Sequence, residues 1–251
     1  MKKTLTALLC LLIVGSVSQA EDWGTLKGKI LLDGDVPAPV LQHKKGAPGV
    51  KDASVCAAQD TLRQDLLIDK TTKGVANIFV YIYKKPKSIH PDAEKAPAKV
   101  IFDQKNCVFK PHALVLQAGQ TVEVLNSDAI AHNTHTYPLR NRAENILVAP
   151  NTKKGEGVDI GTKTREILPH KVTCDYHGWM SAYWLVMDHP YAAATDEKGN
   201  FEIKNLPVGK HEFRIWHERP GYLDKAFEVE VKKGDNEPLV IKYKLDKFSD
   251  K

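Results

Sequence analysis

Short runs rich in Val, Ile, Phe and Tyr alternate with polar residues along this chain, and Gly, Pro, Asn or Asp interrupt them at fairly regular intervals. Side chains that alternate at period two belong to half-buried strands, and frequent breaks keep those strands short, so the pattern dictates an all-β fold built from sandwiches. The chain has no convincing long amphipathic helix. Strands are expected over Leu26 to Leu32, Ala76 to Lys84, Lys99 to Phe102, Ala113 to Leu116, Thr121 to Asn126, Lys171 to Cys174 and Ser181 to Met187. Four more follow, over Phe201 to Ile203, His211 to Trp216, Ala226 to Val231 and Leu239 to Lys244. Residues 34–73 read as loop with a short helix around Ala57 to Leu67, Pro138 to Lys163 as a long polar connection, and 84–97 as a surface loop.

The first twenty residues carry Lys2 and Lys3, an apolar run from Leu5 to Val14, and small residues before Ala20. This is the pattern of a secretory signal peptide, because the apolar run is too short to span a bilayer. No later segment approaches a membrane span, so the chain is expected to be exported, to the periplasm, the cell surface or the medium. Removing residues 1–20 takes away two lysines and no acid, which leaves 34 basic against 31 acidic residues and a net charge of +3. Lysines interspersed with acids along strand faces do not make the concentrated basic stripe that nucleic acid requires, so no nucleic-acid partner is expected.

Export leaves three cysteines, Cys56, Cys107 and Cys174. An oxidising compartment favours pairing, and an odd count leaves one sulfur with another task. Cys56 and Cys107 have no compact ligand pattern around them, so they are expected to pair, whereas Cys174 stands inside such a pattern. From Cys174 the chain reads CDYHGWM, a thiolate, the imidazole of His177 and the thioether of Met180 within seven residues. Such a set converges on one ion only from a tight loop, and its softness suits copper, with the thioether as a distant axial ligand. The set needs a second histidine. Upstream, VEVLNSDAIAHNTHTY offers His132 and His135 just past a strand end. They are three residues apart, so in an extended segment their rings point to opposite faces and only one can meet the Cys174 loop. His112 and His170 are the remaining alternatives for an extra ligand, against the default of a structural histidine.

Three features together resemble the blue copper proteins, the cupredoxins of amicyanin and plastocyanin type. They are the strand with Gly119, Thr121, Val122, Val124 and Asn126, the His132, Asn133 and His135 group, and the short CxxHxxM loop. The resemblance covers roughly residues 75 to 187 and implies a Greek-key cupredoxin sandwich. Within it, His132, Cys174 and His177 would form a trigonal plane around one type 1 copper ion, with Met180 axial. Asn133 would tie the two ligand loops together and help the sulfur keep its charge. Ala131 stands where the family often has proline.

After Asp188 the composition changes, and TDEKGNFEIKNLPVG at 195–209 resembles the carboxypeptidase regulatory-like, transthyretin-like β-sandwich family, which implies a smaller second sandwich and no catalysis. The domain expectation is a signal peptide at 1–20, an N-terminal strand and loop region at 21–74, the copper domain at 75–187 and the second sandwich at 188–251. The opening strand, residues 27–35, looks like the first strand of such modules and is expected to pack against the C-terminal one.

The function this implies is single-electron transport between redox partner proteins that dock briefly near the exposed edge of His177, with Tyr176, Gly178 and Trp179 as the apolar patch. A non-redox role in binding copper, a partner or a carbohydrate is the alternative. An enzyme is not expected, since the chain has neither a His-x-His pair nor a repeated copper domain.

Overall fold

The computed structural model describes residues 22–92 and 96–249; the expected signal segment lies outside the described residues. The fold is all-β and consists of two sandwiches packed on each other. The inner one takes its strands from residues 99–187. Its first sheet runs Asn145–Val148, His132–Thr136, His170–Thr173, Ser181–Met187, Ala113–Gln117, and its second Val158–Gly161, Thr121–Val124, Lys99–Lys105, Val108–Lys110. Phe102 anchors the space between them, stacked on Phe109 at 5.0 Å and edge-on to Trp184 at 5.0 Å. Each such aromatic pair adds about 0.5–1.5 kcal/mol beyond the apolar area it buries.

The outer sandwich combines the first and last described strands. Trp23–Asp33 lies between Asn200–Pro207, antiparallel, and Leu239–Lys244, parallel. Its inward positions alternate as the sequence requires: Leu26, Ile30 and Leu32 enter the core, and Gly28 faces in because a Cβ there would lie 2.5 Å from the Phe201 ring. The opposite sheet runs Ala192–Ala194, Phe79–Ile82, Gly209–His217, Gly221–Val231.

The Phe79–Ile82 strand, expected to open the copper domain, pairs instead with Ala192–Ala194 and Gly209–His217. The reason is its two apolar faces. Ile78, Val80 and Ile82 point into the outer core, while Phe79 and Tyr81 meet Leu185, Met187 and Trp216 where the sandwiches touch. Ser181–Met187 is built the same way, with Trp184 and Val186 turned inward and Leu185 and Met187 turned to the neighbouring sandwich.

All eleven expected strands are present, with edges shifted by up to five residues. The helix expected over 57–67 is absent. Backbone pairing takes that segment away from it: Thr61–Leu62 pairs with Leu41–His43, and the Ala76 N–H donates to the Leu67 carbonyl at 3.0 Å. One helical turn, Ala53–Cys56, precedes it. The polar connection at 138–163 contains two strands, Asn145–Val148 and Val158–Gly161, at sheet edges. Cys56 and Cys107 form a disulfide, and Cys174 is a buried free thiol.

Candidate metal centre

The two segments singled out in the sequence meet because the strands carrying them are neighbours. His132–Thr136 pairs antiparallel with His170–Thr173, which sets His132 beside the loop that follows Thr173. Asn126 shapes the approach to His132, its Nδ2–H donating to the carbonyls of Ile130 at 2.7 Å and Val148 at 3.2 Å. The Cys174 loop is closed by its own backbone: Met180 N–H donates to His177 O at 2.8 Å, and Cys174 N–H donates to Met180 O at 3.3 Å. Asn133 binds the loop from outside, its Oδ1 accepting from Asp175 N–H at 2.7 Å and its Nδ2–H donating to Asp175 Oδ2 at 3.0 Å.

Cys174 Sγ lies 3.9 Å from His132 Nδ1 and 3.8 Å from His177 Nδ1, and the two nitrogens are 3.0 Å apart. Cys174, His132, His177 and Met180 are all essentially inaccessible to water. The point equidistant from the three donors, the circumcentre of that triangle, is about 2.1 Å from each, inside the ~2.0–2.3 Å range of metal bonds to imidazole nitrogen and thiolate. Both imidazoles turn Nδ1 to this point because Nε2 is engaged elsewhere. His132 Nε2–H donates to Asp128 Oδ2, and His177 Nε2–H donates to Asp52 Oδ2, both at 2.9 Å. The donor set therefore fits a soft first-row metal ion such as copper.

The electrostatics are those of a thiolate beside a cation. Burial pushes the Cys174 thiol up, but hydrogen bonds from His132, His177 and the backbone N–H groups of Asn133 and His177 bring it down to about 6. Burial lowers His132, and the Asp128 carboxylate and the Cys174 sulfur raise it to about 9. Asp128 is buried, which raises it. The His132 hydrogen bond and the N–H groups of Asn106 and Cys107 outweigh that and hold it below the ordinary carboxylate range. Cys107, Asp128 and His132 also lie close together, but the Cys107 sulfur is committed to its disulfide.

The other histidines stand elsewhere. His135 points outward, stacked on Tyr137 at 4.3 Å with Nδ1 at 3.1 Å from the Asp175 carboxylate. His112 pairs with Glu218 of the outer sandwich, and His170 is packed edge-on to Trp184 at 5.8 Å.

One expectation is corrected. The His177 edge is not an exposed port: the residue is 0% exposed, with Asp52 on its Nε2. The Trp179 ring lies 5.1 Å from it and meets His43 edge-on at 4.4 Å. Tyr176 remains half exposed, with Lys51 Nζ 4.9 Å above its ring.

The sequence reading did not include Asp128 or Asp52. Asp128 was findable, an acid four residues before the candidate ligand His132. Asp52 was not, since 125 positions separate it from His177.

No protein-family model and no curated protein matches the chain. Solved structures are similar to it. A reduced amicyanin variant is 19% identical over 43% of this chain and 98% of its own, with a TM-score of 0.31. Amicyanin from Paracoccus versutus is 14% identical over 43% and 97%, with a TM-score of 0.31. A purple cupredoxin from Nitrosopumilus maritimus is 18% identical over 36% of this chain and 100% of its own, with a TM-score of 0.29.

Proposed function

We propose that this chain is an exported copper protein that carries single electrons and would hold one ion through His132, Cys174 and His177, with Met180 as a fourth ligand. The observation that carries the proposal is the convergence of one sulfur and two Nδ1 atoms on a buried point at bonding distance from all three. Copper bound there would supply a one-electron couple between its d⁹ and d¹⁰ states.

The protein's contribution is to keep the donors still. Asp128 and Asp52 fix both imidazoles, and Asn133 clamps the thiolate loop to the neighbouring strand. Met180 is locked in the same turn by its backbone bonds to His177 and Cys174. Burial excludes water, and two packed sheets resist any change in the spacing of the donors. Little atomic movement between oxidation states is the condition for fast electron transfer. The second sandwich, with its transthyretin-like sequence features, we assign to scaffolding. Export follows from the N-terminal sequence pattern.

The test is an optical and electron paramagnetic resonance spectrum of the copper-loaded protein. An intense thiolate-to-copper band in the red, lost in Cys174→Ser, supports the reading; a colourless protein refutes it. The covered edge of His177 favours a second reading, a protein that holds copper without electron traffic. Electron self-exchange separates the two, fast for a carrier and negligible for a holder.

A further inference from the structure

Residues 41–62 form a strap across the metal centre. Its strands Leu41–His43 and Thr61–Leu62 pair with each other and, among the described residues, with no other strand, and between them the turn Ala53–Cys56 is tied to the inner sandwich by the Cys56–Cys107 disulfide. Asp52 begins that turn in the left-handed region (φ 53, ψ 44), its carbonyl accepting from Val55 and Cys56 N–H, both at 2.9 Å. A side-chain residue other than Asn, Asp or Gly rarely adopts this conformation, and here it aims the carboxylate at His177 Nε2. The strap also lays His43 against Trp179, whose Nε1–H donates to the Cys107 carbonyl at 3.3 Å. Cys107 thus joins three parts of the lid: its sulfur holds Cys56, its carbonyl holds Trp179, and its N–H holds Asp128 at 2.8 Å.

We propose that this strap is the gate of the metal centre and that Asp52 is a positioning residue, holding His177 with Nδ1 toward Cys174 and barring reagents and chelators from the sulfur. The positioning half rests on the copper reading above; the gating half concerns the thiol alone and stands without metal. Asp52 is the natural lever because its side chain is 40% exposed, so replacing it opens no cavity in either core. The remaining contacts of the strap stay in place.

In the metal-free full-length protein, iodoacetamide alkylation of Cys174, the single free thiol among the described residues, reads access by mass spectrometry. Asp52→Ala is expected to speed alkylation by roughly tenfold or more, and His43→Ala, which removes the strap's contact with Trp179, by a smaller factor. The ¹⁵N spectrum of the same samples reads positioning: the Nε2 contact with Asp52 predicts an Nε2–H tautomer for His177 in the wild type, a mixture in Asp52→Ala and an intermediate state in Asp52→Asn. In the copper-loaded protein, release to a copper(I) chelator should be about 10–100 times faster in Asp52→Ala, the usual range for losing a partner of a ligand histidine. Alkylation of both variants at the wild-type rate, in proteins with unchanged urea midpoints, overturns the gate. An unchanged His177 tautomer overturns the positioning role. A wild type that takes up no copper refutes the copper reading, while the alkylation rates still decide the gate.

Discussion

Take the metal-free protein from pH 7 to pH 5 and follow three buried imidazoles outside the candidate site. Burial lowers His170, His189 and His217 to about 4 each, and their charged neighbours only adjust that: Glu166 for the first, Asp188, Arg165 and Lys85 for the second, Glu218, His112, Arg219 and Asp65 for the third. In the unfolded chain each titrates near its ordinary value of about 6.5. At pH 7 the native residues hold essentially no proton and the unfolded ones about a quarter of one each. Below pH 6.5 the unfolded chain takes it up and the native one does not, so stability is lost as pH falls toward 4. Between pH 7 and pH 5 the linkage relation gives a loss of about 1.5–2 kcal/mol per histidine, hence roughly 4–6 kcal/mol for three acting independently. His132 and Cys174 pull in opposite directions over this window. The raised histidine gains stability as pH falls and the lowered thiol loses it, so the two partly offset each other. A loss of that size is a large part of the 5–15 kcal/mol typical of a folded domain. Urea unfolding at the two pH values measures it, and His189→Gln removes one share of the slope. Equal unfolding free energies at pH 5 and pH 7, or imidazole NMR titrations near 6.5 for these three residues, would mean that burial does not hold the three rings neutral.

Replacing both Cys56 and Cys107 by Ser frees a loop of sequence separation 51, which loop-closure entropy values at about 4 kcal/mol, measurable by guanidinium unfolding. Gly74→Ala would place a Cβ 2.0 Å from the Lys198 carbonyl oxygen, backbone that cannot yield cheaply; a loss of about 1–3 kcal/mol should appear as a lower melting temperature. Glu166 is buried and its carboxylate accepts from the N–H groups of Leu139, Arg140 and Asn141. Glu166→Gln turns one acceptor into a donor there, at a cost of about 1–3 kcal/mol, with faster amide exchange at 139–141 as the readout.

Alternation made the strands legible wherever one face is apolar, as in Trp23–Asp33 or Thr121–Val124. It failed for His132–Thr136, whose sequence HNTHT has no apolar residue although all but one position is buried; the side chains of His132, Asn133, His135 and Thr136 are held by hydrogen bonds, which leave no hydropathy signal. It failed also at the sheet edges Asn145–Val148 and Val158–Gly161, where exposure thins the pattern. Three of the proposed ligands, Cys174, His177 and Met180, were legible because thiol, imidazole and thioether stand in one loop, whereas His132 was separated from His135 only by the resemblance to the cupredoxins. Their carboxylate partners differ: Asp128 lies on the same short segment as His132, while Asp52 reaches His177 only through the tertiary fold. Where Phe79–Ile82 pairs is likewise a long-range fact, invisible in a run whose two faces are both apolar.

The interleaving of Trp23–Asp33 between Asn200–Pro207 and Leu239–Lys244 sets the order of assembly against the order of synthesis. The first described strand waits with Leu26, Ile30 and Leu32 uncovered until its last neighbour has left the ribosome, while every strand of the inner sandwich is already present once Met187 has been made. That half can close first. In doing so it shortens the effective distance between the two halves of its host, so that a pairing spanning some two hundred residues is completed at the entropic cost of a much shorter loop.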